Sequence, residues 1–87
     1  MSRKQRFLVV DTETGGLDCK EHSILSIAGV ILTPDEGCDP CFDLLINEEE
    51  IKYIDKALEI NKISLNEVKS RGFSPNIAVG MIRGALD

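Results

Sequence analysis

An uninterrupted apolar run, Phe7-Leu8-Val9-Val10, ends on two acids one residue apart, Asp11 and Glu13. Aromatic and β-branched residues favour an extended backbone, and Gly15-Gly16 follows as a turn, so Arg6–Val10 is predicted to be a strand. A strand apolar on both faces reads as a central one, covered from both sides. Side chains alternate along a strand, which puts Asp11 and Glu13 on one face, ~6–7 Å apart at the usual rise. Two bare charges at that separation repel by ~2–2.5 kcal/mol at an effective dielectric of ~20. A hard dication offsets the repulsion: Mg²⁺ or Mn²⁺ takes oxygen ligands and is often held by one or two carboxylates plus substrate phosphate.

The rest of the chain limits what that strand can join. Ser23–Thr33 ("SILSIAGVILT") reads as a second strand, "TPDEG" as a turn, and Cys41–Asn47 ("CFDLLIN") as a third strand. Short spacing and compact turns make these three an antiparallel meander. In "EEEIKYIDKALEI" charge and apolar residues are mixed, and both loop and short helix fit. "SLNEVKSRG" predicts a short helix with Ser64 and Glu67 as a capping box and Gly72 as its stop. A last helix is predicted with Ser74 as cap and Pro75 at its first position, presenting Ile77, Met81, Ile82, Ala85 and Leu86 on one face. The fold class is therefore α/β: one three-stranded sheet followed by helices.

At this point the sequence resembles a known family. "VVDTETGGLD" is similar to the first motif of the DnaQ-like (DEDD) 3′–5′ exonucleases, which have a ribonuclease H-like fold. "SILSIAGVIL" resembles the family's second strand and "FDLLIN" its third. "ALEINKISLNEV" resembles the segment with an isoleucine-rich turn and short helix, and the helix from Pro75 resembles the one leading to the second motif. The resemblance implies that residues 1–87 form a single domain, the N-terminal portion of an exonuclease domain. It implies that Asp11 and Glu13 are catalytic metal ligands for Mg²⁺ or Mn²⁺. It places Thr14 and Leu17 against the terminal nucleotide of a single-stranded or 3′-terminal nucleic acid, with Gly15 and Gly16 allowing close approach. Two ions ~3.5–4 Å apart would clamp the attacking and leaving oxygens of an in-line phosphodiester hydrolysis. Two carboxylates from one strand cannot build that cage, so the two-ion site is incomplete in this chain, and the chain alone is expected to be inactive.

Composition excludes other classes. Net charge is −5, against a broad basic surface for nucleic acid, though not against a site whose positive charge comes from metal. No apolar run approaches the ~20 residues of a membrane span, and no signal-peptide core follows the basic "MSRKQRF", so a cytoplasmic protein with no membrane partner is expected. Arg3, Lys4 and Arg6 read as a solvated terminus, and Glu48–Glu50 as a solvated loop. His22 stands apart from the acids as an isolated surface histidine; the family's base histidine comes later in the domain. P-loop, dinucleotide-binding and serine-nucleophile motifs are absent.

A rival pattern is Cys19-x₂-His22 with Cys38-x₂-Cys41, close to zinc-ribbon spacing. A continuous second strand would hold the two pairs ~35 Å apart, whereas zinc needs its ligands at ~2.0–2.3 Å. Free thiols are the expectation. A second alternative is a non-catalytic binding module that keeps the sheet and acts through an exposed edge or face. Exposed apolar surface also predicts self-association.

Overall fold

The computed structural model describes residues 5–18 and 20–87; Arg3, Lys4 and the Cys19 thiol lie outside the described residues. Strand β1 (Phe7–Thr14) pairs antiparallel with β2 (Ile24–Thr33), and β2 pairs antiparallel with β3 (Gly37–Leu45), in the sheet order β1-β2-β3. Helices α1 (Asp55–Asn61), α2 (Leu65–Arg71) and α3 (Pro75–Leu86) follow. This is the expected α/β arrangement, a three-stranded antiparallel sheet and then helices, consistent with part of a ribonuclease H-like fold.

The boundaries differ from the sequence reading in instructive ways. β1 continues four residues past Val10, so Asp11 and Glu13 lie within the strand and not beyond its end. The ladder to β2 holds them there, pairing Asp11 with Ala28 and Glu13 with Ser26. β3 begins at Gly37, well before Cys41. Pro40 is tolerated because β3 is an edge strand and its register with β2 shifts between Gly29 and Val30. In the β2–β3 turn the Glu36 N–H donates to the Thr33 carbonyl at 3.0 Å. Pro34 occupies the second turn position and Asp35, with φ 69°, the third.

β1 is not the central, doubly covered strand that its apolar run suggested. Phe7, Leu8, Val9 and Val10 are each more than two-fifths exposed, and β1 stands at the sheet edge. The helices explain this. The core cluster joins Leu44 and Ile46 of the β3 end to Ala78 of α3, with Ile27 and Ile82 packed against it, on the far side of the sheet from β1. α1 meets only the last residues of β1, through the Asn61 Nδ2 bond to the Thr14 carbonyl at 2.9 Å. A radius of gyration of 15.0 Å, against ~12 Å for a compact domain of this length, reflects the same sparse cover.

Helix termini follow local chemistry. Ser74 caps α3, its hydroxyl accepting the Ile77 N–H at 3.4 Å, with Pro75 in the first turn. Ser64 stands at the N-cap of α2 and Gly72 at its C-cap, but no side-chain hydrogen bond forms at Ser64, so the capping box is not made. The inward face of α3 is also rotated from expectation. Ala78 is buried and Ile82 half-buried, while Ile77, Met81 and Leu86 face solvent. The pair four residues apart fits the small area that Leu44 and Ile46 offer.

α1 ends on Lys62 in the left-handed region, φ 57° and ψ 37°, where its N–H donates to the Leu58 carbonyl. Glycine suits that position without the steric cost of a Cβ. Lys62→Gly is therefore expected to raise stability by about 0.5–1 kcal/mol. Urea unfolding checks this: the midpoint should rise with the slope unchanged.

Candidate active site

Antiparallel partners directly opposite one another share a sheet face. Asp11 faces Ala28, which faces Asp43; Glu13 faces Ser26, which faces Leu45. Thr12 faces Ile27, which faces Leu44, and that is the side α3 covers. No register shift intervenes between Asp11 and Glu13; the irregularity falls just after, between Glu13 and Thr14. The two carboxylates thus share one face, and it is the face that α3 leaves open. Asp11 is exposed and Glu13 half-buried.

Neither carboxylate has a hydrogen bond or ion pair among the described residues. A pair of unneutralised oxygen donors on an open face suits a hard divalent cation. Asp43 adds negative charge to the same face, but it lies two strands from Asp11, roughly 9.5 Å at the usual strand spacing. No group of three or more His, Cys, Asp or Glu side chains that could hold a metal occurs among the described residues. Among the described residues Asp11 and Glu13 thus form a carboxylate pair without a third such group beside them.

The turn that follows β1 is built with little freedom. The Gly15 N–H donates to the Ser23 carbonyl at 2.8 Å, and its carbonyl accepts the Ile54 N–H at 2.8 Å. A Cβ on Gly15 would lie 2.3 Å from the Lys52 carbonyl oxygen and 2.9 Å from Tyr53 Cα. The close approach that glycine permits here is to the protein's own backbone. The Thr14 hydroxyl donates to the Gly16 carbonyl at 2.7 Å. Leu17 emerges from this turn fully exposed.

Beside Leu17 is a cleft of about 220 Å³, lined also by Thr14, Gly16, Ile54, Ala57, Ile60 and Asn61. Lys56 also lines it. Ile54 and Ile60 are 48% and 67% exposed, which leaves their apolar surface available to a ligand. The sequence reading missed these α1 residues. Their signal was the Ile54–Ile60 spacing within a segment that also read as loop, and it became legible only when Asn61 tied α1 to Thr14.

His22 is half-buried, not an isolated surface group. Its Nδ1 accepts the Asp18 N–H at 3.2 Å, and its ring fills the space a Cβ on Gly16 would need. It borders a second cleft with Thr12 and Ile24, on the face opposite Asp11 and Glu13. The zinc pattern is also spread out. β2 runs unbroken from Ile24 to Thr33, with His22 before its start and Cys38 opposite Leu32 near its end, roughly 30 Å away at the strand rise. Cys38 and Cys41 are free thiols.

Residues 8–80 match the sequence profile of the RNase_T family, described as exonuclease. No curated protein matches the chain. Among the described residues no helix is long and apolar enough to cross a membrane.

Proposed function

The chain belongs to the DnaQ-like exonuclease family, and on that premise we propose that it carries the first catalytic motif of a metal-dependent 3′–5′ exonuclease. The family gives a nuclease-type enzyme acting on nucleic acid. Direction, metal and residue roles are the proposal. The observation that carries it is the pairing of Asp11 and Glu13 on the open face, free of any cation from the protein among the described residues.

In this reading Asp11 and Glu13 hold Mg²⁺ or Mn²⁺. When bound, the cation would supply Lewis-acid stabilisation of developing negative charge. The protein's own residues do the remainder. Leu17 and Ile60 take the terminal base or sugar between them and Thr14 borders the sugar, while Gly15 and Gly16 let the turn pack against Lys52 and His22. Lys56, which also lines the cleft, would meet a backbone phosphate. The substrate is a single-stranded or 3′-terminal nucleic acid, because a base inside a duplex cannot enter a side cleft without unstacking. Further ligands are needed from outside these 87 residues, so the chain contributes one part of an exonuclease domain and is inactive alone.

The cleft supports a direct test. Leu17→Ala and Ile60→Ala are each expected to weaken binding of a nucleoside 5′-monophosphate about three- to tenfold, from the stacking area removed. Titration followed by NMR measures it, and unchanged affinity in both variants would remove the cleft from the substrate path.

The free edge of β1, with apolar side chains on both faces, is also proposed as a self-association surface. Mass from sedimentation should rise with concentration, and Val9→Lys should hold the chain monomeric. A monomer at all concentrations would contradict this.

A further inference from the structure

Ser23 lies at the entrance to β2, 4% exposed, with every polar group engaged. Its N–H donates to the Lys52 carbonyl at 2.8 Å, and its own carbonyl accepts the Gly15 N–H at 2.8 Å. Its hydroxyl accepts the Lys52 N–H at 2.8 Å and donates to a carboxylate oxygen of Glu48. One small residue thus joins the turn after β1 to the irregular segment that leads into α1. That segment returns to the same turn through the Ile54 N–H on the Gly15 carbonyl. A bond from hydroxyl to carboxylate is charge-assisted and stronger than a neutral one.

The two walls of the cleft come from these two segments: Leu17 from the turn, Ile54 and Ile60 from the start and body of α1. Neither wall is braced by a large core, since the buried apolar residues lie in β2, β3, α2, α3 and the residue after β3. The hydrogen bonds at Ser23, together with Asn61 on Thr14, set the distance between the walls. We infer that Ser23 and Glu48 are positioning residues for the nucleotide cleft: they act through Gly15 and Ile54 to hold Leu17 at a fixed spacing from α1. A ligand then meets a preformed slot and does not have to order one. This rests on the reading of the cleft as the seat of a terminal nucleotide.

The test uses the full chain, Ser23→Ala, Glu48→Ala and Glu48→Gln, with thymidine 5′-monophosphate as probe. Affinity is read from the Leu17 and Ile60 methyl shifts, and local opening from amide exchange at Gly15 and Ile54, with Val30 and Leu44 as references. Ser23→Ala and Glu48→Ala are expected to weaken binding about three- to tenfold, the range for one lost hydrogen bond. Exchange should quicken at Gly15 and Ile54 while Val30 and Leu44 hold. Glu48→Gln keeps an acceptor for the Ser23 hydroxyl and should restore binding close to that of the parent. If Ser23→Ala does not fold, Glu48→Ala decides, since Glu48 is only half-buried. Wild-type affinity in Glu48→Ala, or exchange that quickens equally at all four amides, would overturn the positioning role. A parent chain that binds no nucleotide would instead contradict the exonuclease reading, and exchange at Gly15 and Ile54 would still decide whether Ser23 and Glu48 fix the walls.

Discussion

Asp11→Ala is expected to lower metal-dependent hydrolysis of a single-stranded 3′ end by about a thousandfold in the exonuclease domain that contains these residues. The figure follows from losing several kcal/mol of transition-state charge stabilisation at ~1.4 kcal/mol per tenfold. The fold should not suffer. Asp11 is exposed and its carboxylate makes no bond among the described residues, and its removal relieves the repulsion with Glu13. The unfolding midpoint of Asp11→Ala should therefore match or slightly exceed that of the parent. This combination, activity lost and stability kept, distinguishes a ligand from a structural acid. Measuring kcat/KM with Mg²⁺ beside thermal unfolding of the variant checks both halves. An unchanged rate would end the assignment of Asp11.

Gly15→Ala is expected to act in the opposite sense, through the fold. The new methyl group would meet the Lys52 carbonyl oxygen at 2.3 Å and Tyr53 Cα at 2.9 Å, both backbone atoms that cannot swing away. Relief requires the segment around Lys52–Ile54 to move off, which strains the bonds at Ser23 and Ile54. Overpacking costs about 1–3 kcal/mol, and each lost hydrogen bond about 1 kcal/mol. The total, about 3–5 kcal/mol, approaches the whole stability of a small domain, about 5 kcal/mol at the low end. Among the described residues, the buried apolar side chains are only Leu25, Leu44, Ile46, Val68 and Ala78, so little remains to absorb the loss. Loss of dispersion in the amide NMR spectrum at room temperature would meet the expectation; a parent-like unfolding midpoint would contradict it.

The three strands and the two later helices were legible because their signals are local. β-branched runs, turn residues and the Ser74-Pro75 start all act within a few positions of themselves. The errors lie where the deciding contact is distant in sequence. A continuous apolar run such as Phe7–Val10 shows what a strand could bury, not what is present to cover it. The acids were assigned to one face correctly, because alternation is a property of the strand itself. That this face is opposite α3 depended on Leu44 and Ala78 meeting, and no local pattern records that. Gly37 read as the end of the turn and Cys38–Pro40 lay outside the predicted third strand, because glycine, aspartate and proline disfavour strands, yet pairing with β2 overrides the propensity. α1 stayed ambiguous because Ile54 gives it no side-chain cap. The cleft beside Leu17 escaped for the same reason as the Ser23 network: Asn61 is 47 residues from Thr14, and Lys52 29 from Ser23.

The central claim is that Asp11 and Glu13 together receive a divalent cation on the open face of β1. Manganese titration of the chain, followed by paramagnetic broadening of its amide resonances, tests this without requiring catalysis. The account predicts broadening centred on residues 11–13 and on their partners Ser26 and Ala28, lost in the Asp11→Ala, Glu13→Ala double variant. Broadening centred on the acidic run Glu48–Glu50, or unchanged by that double substitution, would contradict it.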